Sequence, residues 1–335
     1  MVSVTIKQIA EELGVNPSTV SRALAGSPRV SEDTRKRVLQ LARQLNYTPN
    51  LWAQNLVSTS SHLIGCLVLE LSNPFYVPVV RAIESIAHQN NFMVFLGESQ
   101  RQLEMEKAVI DRFRRIRTAG VIATPLLAEL EHLVALETDG VPVVLVGRSA
   151  PGFFSVNVDN QKSGNMVGKH LLRNGHRNIG YVSSSDPLNI PEQERLKGLK
   201  SALQDAGILL NRHYQVDKNN LEGGQCAGQL WLSTSNRPTA IFCSNDMLAM
   251  GFISTVLKNG LSVPGDVAVV GHDDVPFADL FKVSLTTVAY PKDEVGVKAM
   301  DILLQRINNS SSHLHPINII LDTELVVRDS CGATG

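Results

Sequence analysis

Apolar residues recur at helical spacing over the first fifty positions and in short continuous runs afterwards, and this change of period divides the chain. Ile6, Ile9, Ala10 and Leu13 form one helical stripe. Thr5 and Gln8 stand at capping-box spacing ahead of it, and Gly14-Val15 breaks it. Asn16 can then cap a second helix with Pro17 at its first position, where a missing N–H costs nothing. Val20, Ala23 and Leu24 are its inner face, and Gly26-Ser27-Pro28 ends it. Ser31 caps a third helix that turns Val38, Leu41, Ala42 and Leu45 inward. A fourth, short helical candidate covers 50–57, and the polar stretch 58–61 reads as a linker.

From position 62 the pattern is different. The runs LIGCLVLEL (63–71), FMVFLG (92–97), GVIAT (120–124), VPVVLVG (141–147), IGYVSS (179–184), TAIFCSND (239–246) and VAVVGHD (267–273) read as strands. Helical patterns such as 77–90, 101–116, 162–174, 192–206 and 246–259 separate them. Continuous apolar strands alternating with helices predict parallel sheets covered on both faces. The length exceeds one ordinary sheet, so two doubly wound lobes are expected. The fold class is an all-α helix-turn-helix headpiece followed by a two-lobed α/β domain.

Composition sharpens this picture in three places. At 43% hydrophobic and 19% charged, the 335 residues have the balance of a folded globular chain. The net charge of −1 hides an asymmetry: residues 1–60 carry seven basic side chains (Lys7, Arg22, Arg29, Arg35, Lys36, Arg37, Arg43) against Glu11, Glu12, Glu32 and Asp33. A basic headpiece on an acidic body suits contact with phosphates at one end. Cys66, Cys226, Cys243 and Cys331 form no CxxC pair and read as free thiols of a reducing compartment. The N-terminus lacks an apolar signal core, and no run reaches the roughly 18 apolar residues of a membrane span. A soluble, cytoplasmic protein, nucleoid-associated through DNA, is expected.

The second helix starts Asn16-Pro17-Ser18-Thr19-Val20-Ser21-Arg22. In a helix-turn-helix such a helix enters the major groove and offers its first-turn side chains to base edges. Arg22 suits paired bonds to guanine O6 and N7. Ser18 specifies weakly, and Pro17 offers only an apolar contact. Thr5, Thr19 and Ser21, with the backbone N–H groups at helix starts, suit phosphate oxygens. Among enzyme readings, no GxGxxG follows a strand, and no GxxxxGK[ST], HExxH or GxSxG occurs. His313 with His315 is a loop pair rather than a metal site, so no enzyme activity, metal or cofactor is expected.

The stretches STVSRAL, RVSEDTRKRV and LNYTPN closely resemble the headpiece of LacI/GalR repressors. The resemblance continues through NLWAQNL and through KHLLRNGHRNIGYVS, RPTAIFCSNDMLAMGFI, NGLSVPGDVAVVGHDDV and LTTVAYPKDEVG, so it covers essentially the whole chain. It implies a headpiece at 1–48, a hinge helix and linker at 49–61, and an effector-binding and dimerisation domain at 62–335 similar to periplasmic sugar-binding proteins. Lobe one is expected over about 62–159 and 290–321, and lobe two over 160–289 and 322–335. It further implies that 49–61 holds a hinge helix formed on operator binding, with Asn50 and Gln54 against the DNA and Leu56 wedged into the minor groove. Ala25 and Gln54 depart from the Asn and Arg that many relatives carry, which bears on operator sequence and phosphate contacts.

Ligands of doubly wound sheets sit beyond the carboxyl ends of strands. Phe75 and Tyr76 follow the first strand run, Arg148 the fourth, Asn245-Asp246 the TAIFCS run, and Asp273 the VAVVGH run. The resemblance adds Arg195 and Asn219. Together they suit vicinal hydroxyls, with Phe75 stacking on a sugar ring. Each also has a plainer reading: Phe75 as core, Asp246 as a helix cap, Arg195 as an ion pair with Asp273, Arg148 as a tie between lobes. His272 is read as a packed imidazole. The expected function is an operator-binding repressor of a carbohydrate-utilisation operon, a dimer, controlled by a sugar or sugar derivative. A purine or phosphorylated corepressor is the alternative. A two-lobed binding protein or enzyme without a DNA role is the competing class.

Overall fold

The computed structural model describes residues 4–24, 26–45, 47, 61–126, 130–308 and 315–332. The chain divides into two compact units, residues 1–61 and 62–335.

The smaller unit holds α1 (Ile6–Leu13), α2 (Pro17–Leu24) and α3 (Glu32–Gln44). Each starts where a side chain satisfies backbone N–H groups that have no helical partner. Thr5 and Gln8 form a reciprocal capping box. Asn16 Oδ1 accepts from Ser18 N at 2.9 Å, and Ser31 accepts from Thr34 N. Gly14 closes α1 at φ 65°, a left-handed conformation open to a residue without Cβ. Helices this short are not stable alone. They are held by a shared core of Ile9, Ala10, Val20, Ala23, Val30, Val38 and Ala42. Arg35 donates to the carbonyls of Gly26 and Ser27 and so fastens the loop before α3. The candidate helix at 50–57, with Asn50, Gln54 and Leu56, lies outside the described residues.

The larger unit opens with β1 (Leu63–Val68), α4 (Tyr76–Gln89), β2 (Met93–Glu98), α5 (Leu103–Arg115), β3 (Gly120–Ala123), α6 (Glu131–Thr138), β4 (Val143–Val146) and β5 (Phe154–Val158). It continues with α7 (Asn160–Arg173), β6 (Ile179–Ser184), α8 (Ile190–Asp205), β7 (Arg212–Val216), α9 (Leu221–Ser233), β8 (Ala240–Cys243), α10 (Asp246–Lys258) and β9 (Ala268–Val270). It ends with β10 (Thr287–Ala289), α11 (Lys292–Asn308), β11 (Asn318–Leu321) and β12 (Glu324–Val326).

One parallel sheet has the order β11-β5-β4-β3-β1-β2 and the other β7-β6-β8-β9, while β10 and β12 pair antiparallel. In each parallel sheet the chain starts in the interior and winds both ways. β1 lies between β2 and β3, and β6 lies between β7 and β8. Each lobe therefore has a topological switch point beyond its carboxyl strand ends, where a crevice opens. The chain passes between lobes after β5, after β10 and after β11, because α11 and β11 pack with the first lobe and β12 with the second.

β3, β4 and β5 are buried along their whole length. The edge strand β2 is not: Met93, Phe95 and Leu96 are 58%, 44% and 38% exposed. The apolar-run reading misses β5, β7, β10, β11 and β12. β5 is interrupted by Ser155 and Asn157, which are buried only because both bond Asn318 Oδ1, at 2.9 and 2.7 Å. β7 is an edge strand with its alternate face in solvent.

Candidate functional site

A cleft with about 590 Å³ of empty space lies beyond the carboxyl ends of both sheets. Six of the residues singled out from the sequence line it together: Phe75, Tyr76, Arg195, Asn219, Asn245 and Asp273. Arg148 instead lines two adjoining recesses that share Gly147 and Pro191 with the cleft. Burial holds its pKa below the ordinary arginine value.

One wall is aromatic. Phe75 packs edge-on against Tyr76 at 5.1 Å and Tyr290 at 4.8 Å, the geometry ring quadrupoles favour. Burial raises the pKa of both tyrosine hydroxyls.

Arg195 sits on α8 and donates to Asn160 Oδ1 at 2.8 Å. Among the described residues no ion pair joins it to Asp273, whose carboxylate meets His272 Nδ1 at 3.1 Å. The seat of Arg195 depends on two helices without side chains at their crossing. A Cβ on Gly164 of α7 would fall 1.9 Å from the Arg195 carbonyl oxygen, and one on Gly198 of α8 would fall 1.9 Å from that of Gln161.

Asp273 adopts φ 117°, a sparsely populated conformation for a residue with a side chain. Several groups hold it there. Its N–H donates to Val288 O at 2.9 Å. Lys292 Nζ donates to the carbonyls of Asp273 and Asp274. Asp246, wholly buried, accepts from Val275 N at 2.9 Å and Thr287 Oγ1 at 2.6 Å, clamping the same turn. Burial, and then the nearby Asp273, raise the Asp246 pKa well above the usual carboxyl range. Asp246 is thus neither ligand nor cap: the cap of α10 is Asn245, whose Oδ1 accepts from Leu248 N at 2.8 Å.

His272 is wholly buried, and burial followed by the positive charge of Arg195 lowers its pKa to about 4. It is a packed neutral imidazole at neutral pH. Its Nε2, Arg195 Nε and the Tyr290 hydroxyl are buried and find no hydrogen-bond partner among the described residues. Buried polar atoms without partners cost about 1–3 kcal/mol each, and of these residues Arg195 and Tyr290 line the cleft.

Sequence reasoning did not find Glu192, Arg101 or Tyr290. Glu192 stands three residues before Arg195 on the same helix face, a spacing that offered a signal. Arg101 reaches the cleft from a turn where Gln100 and Arg101 both have positive φ, and it pairs with Glu70 at 3.6 Å. No local pattern announces that turn.

In the headpiece unit, Pro17, Ser18 and Arg22 are exposed on α2, while Thr19 and Ser21 are half-buried. The guanidinium of Arg22, in the last turn of α2, makes no hydrogen bond or ion pair among the described residues. Ser18 Oγ is engaged with Asn16 Oδ1, and Thr5 with Gln8. Among the described residues no three metal-binding side chains cluster, and no helix is long and apolar enough to cross a membrane.

Residues 5–50 match the lacI family of bacterial regulatory proteins, and residues 169–331 match a periplasmic binding protein-like domain. The chain is 31% identical to the HTH-type transcriptional repressor PurR of Photobacterium profundum, over 97% of this chain and 98% of that one. The lac repressor dimer bound to operator and the anti-inducer ONPF superposes with a TM-score of 0.85 at 28% identity, covering 99% of this chain and all of that one. A LacI family regulator from Enterococcus faecium with bound ribose gives 0.72 at 26% identity, over 80% of this chain and 98% of that one.

A three-helix DNA reader joined to a two-lobed domain with a polar cleft defines a transcription regulator controlled by a small molecule. Its relatives are repressors rather than enzymes. The chain belongs to the lacI family, and it acts as a DNA-binding repressor that binds operator DNA and an effector and forms dimers.

Proposed function

We propose that the effector is a neutral sugar or sugar derivative and that the regulated genes serve carbohydrate use. The observation that carries this is the charge balance of the cleft lining: Arg101 and Arg195 face Glu192 and Asp273, with Phe75 and Tyr290 supplying apolar ring faces. A phosphorylated ligand needs a surplus of positive charge, which this lining lacks. A flat purine needs a stacking partner where Asn219 stands. Acceptors, amides and two forked guanidiniums suit a ring bearing several hydroxyls.

On the DNA side, Arg22 reads a base, with Pro17 and Ser18 beside it. Thr5, Thr19 and Ser21 meet phosphates. Asn50, Gln54 and Leu56 belong to the hinge segment at 49–61, with Leu56 as the minor-groove wedge. Each headpiece takes one half-site of a palindromic operator. The dimer contact is assigned to the exposed apolar edge of β2, since such an edge left in water invites pairing. The effector acts through unequal affinity for the operator-competent and incompetent states, as linkage requires. The chain carries no catalysis on this reading and works in the cytoplasm.

Thermal melting of the full chain against neutral monosaccharides, sugar acids, sugar phosphates and purines tests the effector class. A rise in melting temperature with a neutral sugar is expected. A rise confined to phosphates or purines would overturn it.

A further inference from the structure

We propose that Glu192 is the positioning residue that sets what the cleft accepts, by fixing the direction of an amide relay along one wall. The inference rests on the cleft being the effector site and goes on to the chemistry of one side of the ligand.

Glu192 is only 3% exposed, yet it lines the cleft. No ion pair neutralises it among the described residues; it accepts hydrogen bonds instead. Ser184 N and Ser184 Oγ donate to Oε2 at 2.9 and 2.7 Å, and Asn219 Nδ2 donates to Oε1 at 2.7 Å. The Asn219 amide is thereby oriented, and its Oδ1 accepts from Asn245 Nδ2. Asn245 Oδ1 in turn accepts from Leu248 N at the start of α10.

Both ends of this chain of bonds are fixed in sense. At one end a helix N–H can only donate, and at the other a carboxylate can only accept. Turning either amide over would set donor against donor at one link, a cost that is high inside a protein. Each asparagine has one N–H left, and both residues line the cleft. This wall therefore offers donors, and a ligand must meet it with lone pairs of a ring oxygen, hydroxyl or carbonyl. Asp273 offers acceptors for hydroxyl hydrogens from another strand end. Glu192 and Asp273 offset Arg101 and Arg195, so the lining lacks the surplus positive charge that a phosphate or carboxylate group would need.

Exchanging the relay's charge tests this. In Glu192→Gln, the amide can satisfy Asn219 or the Ser184 donors but not both, so one link fails whichever way it turns. In the double variant Glu192→Gln with Asn219→Asp, every link can be made again, with the carboxylate moved to position 219. A carboxylate at that position donates nothing, however, so the wall presented to the ligand stays altered.

The probes are ribose, galactose, glucose, gluconate and glucose 6-phosphate, read by melting temperature and calorimetry on the full chain. Wild type is expected to bind at least one neutral sugar and to reject gluconate and glucose 6-phosphate. Glu192→Gln should bind that sugar at least about tenfold more weakly and melt earlier. The double variant should regain the melting temperature but not the affinity, a split that a merely structural role would not give. If Glu192→Gln binds as wild type, or if the double variant regains affinity, the relay assignment falls while the cleft assignment stands, provided Arg195→Ala abolishes binding. If Arg195→Ala binds normally, the cleft assignment itself falls. If no neutral sugar binds wild type, or an anionic one binds better, the neutral-sugar class proposed for the cleft is refuted.

Discussion

Replacing Gly164 with alanine should damage effector binding from a position that touches no ligand. Its new Cβ would lie 1.9 Å from the carbonyl oxygen of Arg195, where ordinary contact begins at 3.4 Å. The obstacle is backbone, so no side chain can swing aside; α8 must recede from α7 by about 1.5 Å. Arg195 Nη1 is 2.8 Å from Asn160 Oδ1, and a recession of that size takes the pair beyond hydrogen-bond distance. Overpacking costs about 1–3 kcal/mol, and alanine returns at most about 1 kcal/mol of helix propensity. A net loss of about 1–2 kcal/mol lowers the melting temperature by roughly 2–8 °C in a domain of this size. Displacing a charged hydrogen-bonding group from its ligand costs about 1.5–3 kcal/mol, or roughly ten- to a hundredfold in effector affinity. Calorimetry with an identified sugar and a melting curve read both numbers. If the variant bound sugar and melted as wild type does, the close helix crossing could not be what seats Arg195.

Three further outcomes are expected. Arg22→Ala should weaken specific operator binding about ten- to a hundredfold while sugar binding persists, because one bidentate base contact is worth about 1–3 kcal/mol; an unchanged operator gel shift would remove Arg22 from the recognition face. Phe95→Glu places a charge on the apolar edge of β2 and should shift sedimentation from dimer to monomer; an intact dimer would place the interface elsewhere. The buried His272 should make stability fall in acid, against the raised Asp246 carboxyl, which works in the opposite sense. His272 has its pKa lowered from 6.5 to about 4 in the folded chain. Its contribution is thus complete above pH 6.5 and is lost as the pH falls toward 4, by about 3 kcal/mol in all. Burial lowers His170, His176 and His213 as well, which adds to the same trend. A His272→Gln variant whose stability varies with pH as that of wild type does would contradict this.

The headpiece was legible because its signals are local. The Thr5–Gln8 box, the Asn16 turn and the Ser31 cap all stand as their spacing implies. The buried strands were legible where both faces are apolar, as in β3 and β4. β5 was not, because its polar Ser155 and Asn157 are satisfied by Asn318, more than 150 positions away. The cleft divides in the same way. Asn245 and Asp273 follow strands recognisable on their own, so their place could be read. Glu192 gains its meaning only from Ser184 and Asn219 on neighbouring strand ends, and Arg101 only from an unusual turn. The plain ion pair between Arg195 and Asp273 is replaced by separate partners, Asn160 and His272, which position each for something else.

The most direct test joins cleft to operator in one titration. Operator duplexes selected by the full chain from genomic fragments would be followed by fluorescence anisotropy, with and without the sugar that raises its melting temperature. The expected result is a change in operator affinity of roughly 5- to 150-fold in wild type and none in Arg195→Ala. A sugar that binds wild type yet leaves operator affinity unchanged, or an Arg195→Ala chain that responds in full, would contradict control of the operator from this cleft.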